Sequence, residues 1–556
     1  MGNLFPGPTR LEKYEEIFDG GDGSGGGGAQ GGEGDKEREM KKEGAGKRTS
    51  IDDSDEGIGG RMKKSPSLVG LPGEAPILPA LLQRDRDKSA LWVLDLYAPT
   101  SIGILVSYFC IGVISKLTQT PVQYYLIEFL NASSTQYSVY NTLHRLPWSL
   151  KFIFGILSDG IPILSYRRKP WLIIGYAGFM AINLYLMAIG APGINQTIFL
   201  VFTFTCFYVL ADVCTDTLTV ERSFYETDSK RGAIQSVGFI YRSFGKVLGS
   251  IMGTFLYDNG TAWSFDISQI FLLNALIPMI CMTFVLWGLV ELASLKAVPS
   301  TAEQLLEVWR VLQLRAVWRP MIFIYIFSVM QIPNSAWSNF LVWGLGFSDA
   351  YLGYLTITSS VVGCLGYVSF KAFFFRTSWR RLYIGSGIVS FLFSIVQVLL
   401  VLRVNTYLGV PDIVFAVGDD AIVALMESLH AMPSVIMFVM LCPKGAEGTT
   451  FALLTTIASL AGTVASDFGS AMTGIWDVSN ETLAAGDFSG ILKLTILTSL
   501  LQLSPLVLVG FFPDTREEHA LAVEEGRTSW WGGFILGSVV VLSLFFTILL
   551  NGLLLY

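Results

Sequence analysis

Asp212 and Asp216 stand four residues apart in FYVLADVCTDTLTVER, a run apolar enough to be one helix, so both carboxylates share a face. Like charges this close do not both ionise cheaply in a low dielectric, and one keeps its proton unless a cation neutralises the pair. The spacing fits a proton carrier, and it fits half of an ion-pair network equally well. GDDAIVALMESLH holds a second polar set: Asp420 and Glu427 are seven apart on one helical face, with Asp419 and His430 beside them. A lone histidine there reads either as a group that titrates near neutral pH or as a packing residue. The cations in comparable apolar settings are Lys116, Arg145, Lys151, Arg242 and Lys246. A charge at the centre of a membrane helix costs about 3 kcal/mol or more, so each needs a partner, a wet cavity or a task.

The elements that must position these groups are membrane helices. The chain has 556 residues, 52% of them hydrophobic and only 15% charged, against about a quarter charged in soluble domains. The net charge of -7 is concentrated in the first 98 residues and a few short loops, and does not suggest a nucleic-acid partner. The six cysteines form no C-x-x-C pair and have no histidine at ligand spacing, so neither a disulfide framework nor a metal site is expected. H-E-x-x-H, G-x-S-x-G and G-x-x-x-x-G-K-[ST] are absent, so the reading is not an enzyme, and no cofactor is called for. With no charged segment leading into a short apolar one at the start, the first spanning helix is expected to serve as its own signal.

Residues 1–98 are rich in glycine and charge without apolar periodicity and read as a disordered cytoplasmic tail. Twelve apolar stretches follow, near 99–127, 135–158, 169–190, 197–221, 232–257, 268–291, 319–345, 351–376, 380–402, 413–441, 447–475 and 488–512. A thirteenth follows Trp530-Trp531 after a short acidic linker, giving a last domain over 513–556. Basic residues gather in alternate loops (Arg167, Arg168, Lys169; Arg222, Lys230, Arg231; Arg376, Arg380, Arg381), which places the N-terminus in the cytoplasm. The sequons at Asn131, Asn195, Asn259 and Asn480 fall in the opposite loops, as in a glycoprotein facing outward.

The chain also repeats. WRRLYIG at 379–385 echoes RRKPWLIIG at 167–175, and Asp419-Asp420 falls where Asp212 falls. Gly245, Gly249 and Gly253 in one helix, and Gly462, Ser466, Ser470 and Gly474 in another, form small-residue stripes that permit close packing. The architecture read from this is an all-α polytopic membrane protein of the major facilitator fold. Two six-helix halves in parallel repeat, 99–291 and 319–512, are joined by a cytoplasmic linker over 292–318 and followed by an extra C-terminal transmembrane helix. Arg242 lies about ten residues into its helix, roughly 15 Å deep and near the midplane. It reads as a substrate contact or as half of a structural ion pair.

The segment LPWSLKFIFGILSDGIPILSYRRKPWLIIG resembles the major facilitator loop between the second and third helices, through Gly155, Leu157, Ser158, Asp159, Arg167, Arg168 and Lys169. It departs by inserting residues 161–166 before the basic cluster. With Pro147, Trp148, Lys151, Pro162 and Tyr166, and with CPKGAEGTTFALL carried by Cys442, Pro443, Gly445, Glu447, Gly448, Thr449, Phe451 and Ala452, the chain resembles the folate-biopterin transporter family. The acid-rich stretch from Asp212 to Arg222 is a third match, and together they cover most of 99–512.

The resemblance implies a symporter: secondary active, proton-coupled transport of folates or pterins. Lys116, Lys151, Arg242 and Lys246 are the candidate cations for substrate carboxylates, with Asp212 bonding the pterin or carrying the proton. Asp212, Asp216, Asp420 and Glu427 are the candidates for proton coupling. Asp159, Arg167, Arg168 and Arg222 are candidates for an inner gate, in which Asp159 pairs with a cation at a cytoplasmic helix end: Arg222, Arg242 or a residue of the eleventh helix. The same fold carrying another metabolite, such as S-adenosylmethionine, and a non-transporting sensor remain the alternatives. The expected partners are the small-molecule substrate, protons and the bilayer, with a monomer in the plasma membrane or, for this family, a plastid envelope.

Overall fold

A computed structural model describes residues 95–130, 134–227, 231–257, 264–291, 300–347, 349–443 and 445–554. The tail expected over 1–98 lies outside them except for its last residues. The first group of helices comprises α1 (Ile102–Leu117), α2 (Ser134–Ser149), α3 (Lys151–Gly160), α4 (Lys169–Ile189), α5 (Ile194–Ser223), α6 (Ala233–Leu256) and α7 (Ile267–Gly288). After α8 (Thr301–Gln313) come α9 (Arg315–Met330), α10 (Asp349–Ser369), α11 (Trp379–Val401), α12 (Asp412–Leu441), α13 (Glu447–Met472) and α14 (Ser489–Leu503). The chain closes with α15 (Arg516–Glu524) and α16 (Trp530–Leu554). Among the described helices, ten are long and apolar enough to cross a membrane, Trp530–Leu550 within α16 being one.

Prolines explain where the expected stretches break. Pro147 removes an N–H inside α2, and the path interrupts at Leu150, so the stretch expected over 135–158 is two helices. The stretch expected over 319–345 stops at Met330, three residues before Pro333, and resumes as a short helix at Trp337–Asn339 that runs on as a π-helical turn over Phe340–Gly344.

The packing repeats between the two groups of helices. α1 packs on α6 and α7, α4 on α5 and α7, and α2 and α3 on α5. In the second group α9 packs on α13 and on the 3-10 turn Ser504–Phe511, α11 on α12 and α14, and α10 on α12. Between the groups, α2 and α3 meet α13 while α6 meets α10. A twofold operation that exchanges the groups exchanges these two seams, as the internal sequence echo requires.

The tightest pairing is α1 with α6. A methyl group built on Gly245 would sit 2.1 Å from the Phe109 carbonyl oxygen, and one on Gly249 2.4 Å from that of Val113. Gly245→Leu must therefore push the backbones apart, and it is expected to cost about 2–3 kcal/mol through overpacking and to lower the melting temperature in detergent. The stripe expected on α13 behaves differently: a methyl built on Gly462 would meet nothing within 4 Å, and the close approach there is at Gly469, where a methyl would lie 2.4 Å from the Pro333 carbonyl oxygen. α16 packs on α8, α9 and α13 and reaches α2. It is held by Tyr325 Oη to Ser543 Oγ at 2.6 Å and by Thr547 Oγ1 donating to Asp467 Oδ2 at 2.8 Å.

Candidate functional site

Three helices bring the predicted charges together. Lys151 Nζ, at the start of α3, donates to Asp212 Oδ2 at 2.6 Å and to Asp216 Oδ2 at 3.2 Å on α5. Arg242 Nη2 on α6 donates to Asp212 Oδ1 at 2.5 Å. Tyr108 Oη on α1 donates to Asp216 Oδ1 at 2.9 Å and accepts from Gln235 Nε2 at 3.1 Å. All four charged groups are buried. Two cations meet two carboxylates, so the four-residue spacing of Asp212 and Asp216 is neutralised as an ion-pair network. Burying such charges is tolerable only when geometry and hydrogen bonds are this complete.

Aromatic rings wall this network. The Trp148 ring lies 5.2 Å from Lys151 Nζ and 5.5 Å from the Arg242 guanidinium, and it meets Tyr208 edge-on at 5.2 Å. Phe239 lies 5.9 Å from Arg242 and 5.8 Å from Tyr367 of α10, carrying the wall across the seam between the groups. Of these rings only Trp148 figured in the sequence motifs, and there it had no assigned role.

The other predicted residues line a second region. Lys246 and Lys116 lie within electrostatic reach of Glu427 on α12, and Asp420 is in reach of Glu427. Glu427 is exposed, although its helix packs on α10, α11 and α13. Lys116 Nζ donates to Gln119 Oε1 at 2.8 Å, and Lys246 makes no ion pair among the described residues. Arg145 Nη1 donates to Ser466 Oγ at 2.6 Å across the α2–α13 seam. His430 packs edge-on against Phe327 at 5.1 Å and tilted against Tyr383 at 5.6 Å, contacts in keeping with a packing residue.

A separate constellation closes the basic end of the bundle. Asp159, at the end of α3, is fully buried, and its Oδ2 accepts from Thr449 N at 2.6 Å and Thr449 Oγ1 at 2.7 Å. Thr449 lies in the first turn of α13, whose N–H groups have no partner inside the helix, so a carboxylate from the other group of helices caps it. Asp159 Oδ1 also pairs with Arg168, and with Arg167 Nη2 at 3.5 Å; Arg167 Nη2 reaches the Gly445 carbonyl at 3.0 Å. The approach is close because Gly155 has no side chain: a methyl there would lie 2.8 Å from the Gly448 oxygen. None of the cation partners expected for Asp159 is the one found: its ion pairs are with Arg168 and Arg167 of the adjoining basic cluster, and α13 contributes the neutral donors of Thr449. Arg222 donates instead to Ser101 Oγ, and Arg242 belongs to the deeper network. Thr449 carried a family motif in the sequence but no predicted role.

The basic cluster is itself held by a reciprocal cap. Glu291, beyond α7, accepts from the N–H groups of Arg167 at 2.7 Å, Arg168 at 2.8 Å and Lys169 at 2.6 Å. Lys169 Nζ returns to the Leu286 and Leu289 carbonyls at the end of α7, both at 2.9 Å. Burial pushes the Glu291 carboxyl above its ordinary range. Burial alone would push Arg168 down, but Asp159, Glu221 and Glu447 outweigh it and hold the guanidinium protonated. Glu291→Ala orphans three backbone donors and is expected to cost about 2–3 kcal/mol, read as a lower melting temperature with the loss of transport confined to heat-treated samples.

Apolar helices long enough to span, packed as a repeated bundle around sequestered charge, define a polytopic α-helical membrane protein. The chain belongs to the BT1 family, whose model matches residues 111–527. It is 28% identical over 417 residues to the "Folate-biopterin transporter" of Synechocystis sp. (strain ATCC 27184 / PCC 6803 / Kazusa), covering 74% of this chain and 81% of that protein. It is 22% identical over 418 residues to "Folate transporter 1" of Plasmodium falciparum (isolate 3D7), covering 75% and 80%.

Proposed function

We propose that the protein moves folates or pterins across a membrane by alternating access, driven by protons. The observation that carries this reading is a ring-walled ion network with two lysines beside it that make no ion pair among the described residues. A pterin is a flat heteroaromatic ring that stacks on Trp148, Tyr208, Phe239 or Tyr367. The glutamate tail of a folate needs cations, and Lys246 and Lys116 make no ion pair among the described residues. Lys151 and Arg242 become substrate ligands only when Asp212 gives them up, which it does on taking a proton. That exchange couples substrate and proton at one residue, with Asp216 as its neighbour and Glu427 and Asp420 as a second proton site facing Lys246. The names of the relatives support the substrate class.

In this reading residues 99–291 and 319–512 are the two moving bodies, and Asp159, Arg167, Arg168 and Thr449 form the inner gate. The basic end faces the cytoplasm, in keeping with the positive-inside rule, and Asn480 faces the plasma-membrane exterior. The protein works as a monomer.

The test is uptake of labelled folate into proteoliposomes at two external pH values. Accumulation that follows the proton gradient and is competed by unlabelled pterin is expected. Binding without accumulation points to a sensor, and competition by S-adenosylmethionine but not pterins overturns the substrate assignment. Within this scheme Lys246→Gln is expected to raise KM for folate about tenfold, the worth of a charged hydrogen bond. KM for a pterin without carboxylates should stay unchanged.

A further inference from the structure

At the basic end of the second group of helices, away from the ion network, lies a cavity of 420 Å³. It is framed by the starts of α9 and α11, the residues after α14, and α15. Its charged lining comprises Arg315, Arg319, Arg380, Arg527, Glu518 and Glu525. Arg380 Nη2 pairs with Glu518 Oε1 at 2.9 Å, and Arg527 Nε with Glu525 Oε2 at 3.2 Å. Arg315 and Arg319 form no ion pair among the described residues, and Arg315 and Arg380 both repel Arg319. His519 adds no charge at neutral pH, because burial pushes it down to about 4. Four cations against two acids leave the cavity with an excess of positive charge and two guanidiniums to spare.

Guanidiniums gathered around a cavity are the chemistry that takes a phosphate, through two parallel N–H donors each. Arg319 is braced for this by the Phe511 ring 4.9 Å below it. The surroundings are also those of a membrane boundary. Leu521, which lines the cavity, is 62% exposed, and Val507, one turn before Phe511, is 87% exposed. Trp530 and Trp531 open α16 just after Arg527, both exposed, as interfacial aromatics are.

We propose that this cavity binds a phosphate-bearing anion at the membrane boundary, with Arg315 and Arg319 as the principal ligands and Arg380 shared with Glu518. An anionic phospholipid supplies that phosphate with its chains along the exposed apolar residues, and a soluble organophosphate supplies it without them. α15 forms one wall of the site, and α16 follows two residues after Arg527. Occupancy therefore ties the C-terminal helices to the starts of α9 and α11.

The full chain reconstituted in phosphatidylcholine nanodiscs, with and without phosphatidylinositol phosphate, tests this by native mass spectrometry and thermal melting. A retained anionic lipid and a raised melting temperature are expected. In Arg315→Gln/Arg319→Gln, affinity for that lipid should fall about thirtyfold, from about one increment of surface attraction per arginine. Arg381→Gln, exposed at the same end, should change nothing, and melting in pure phosphatidylcholine shows whether the double variant folds. Arg315→Lys/Arg319→Lys, which keeps the charge, should recover part of the binding. In a second arm, inositol hexakisphosphate is added to protein in neutral detergent; binding there without lipid retention supports the soluble source. Equal lipid and phosphate binding by wild type and the double glutamine variant overturns the site.

Discussion

Asp212→Ala is expected to abolish folate uptake and to destabilise the protein by about 3–5 kcal/mol, because it leaves the buried Arg242 without its carboxylate. Lys151 keeps Asp216 at 3.2 Å, so the damage centres on Arg242. The informative experiment is the double variant Asp212→Ala/Arg242→Met. Removing both charges should restore most of the melting temperature, since a buried ion pair replaced by apolar groups is often neutral in stability. Transport should stay absent in both. Recovered uptake in the double variant would show that the pair is structural scaffolding and that the proton travels elsewhere, with Glu427 the next candidate.

Asp159→Asn is expected to loosen the basic end without harming insertion. The charged acceptor that caps the first turn of α13 is lost, and Arg168 is left with Glu221 at 2.9 Å and Glu447 at 3.8 Å. Charge-assisted hydrogen bonds are worth about 1.5–3 kcal/mol each, so losing even one shifts the balance between closed and open forms more than tenfold. Hydrogen exchange over residues 445–452 should accelerate, while exchange in α4, capped by Glu291, should hold. Uptake should fall. Unchanged exchange and unchanged uptake in a properly inserted variant would remove Asp159 from the gate.

How much of this was readable beforehand differs from residue to residue. A charge inside an apolar run is conspicuous, so Lys116, Lys151, Asp212, Asp216, Arg242, Lys246, Asp420 and Glu427 could all be named from their surroundings. Their partners could not, because pairing depends on how each helix is turned about its axis and on residues far apart in the chain. Lys151 and Asp212 are 61 positions apart, and Asp159 and Thr449 are 290 apart. Arg222 was named for Asp159 and Thr449 was not, since a guanidinium at a helix end is conspicuous in the sequence and the bare N–H groups of another helix are not. The aromatic wall was hidden for a different reason. With 13% aromatic residues throughout, Trp148, Tyr208, Phe239 and Tyr367 have no contrast against their background. The repeat, by contrast, was visible in WRRLYIG and RRKPWLIIG, and the exchange of seams between α2–α13 and α6–α10 follows from it.

The ion network also bears on how the chain is made. Its two cations sit on elements poorly able to enter a bilayer alone. α2 and α3 are short helices separated at Leu150, and α6 is not among the described helices apolar enough to span. α5, which brings both carboxylates, qualifies with ease. During synthesis Lys151 emerges 61 residues before Asp212, and Arg242 emerges 30 residues after it. Lys151 therefore has no carboxylate partner until α5 is made, whereas Arg242 finds Asp212 already in place. Asp212 is thus the residue on which the earlier and the later cation converge as the chain is made.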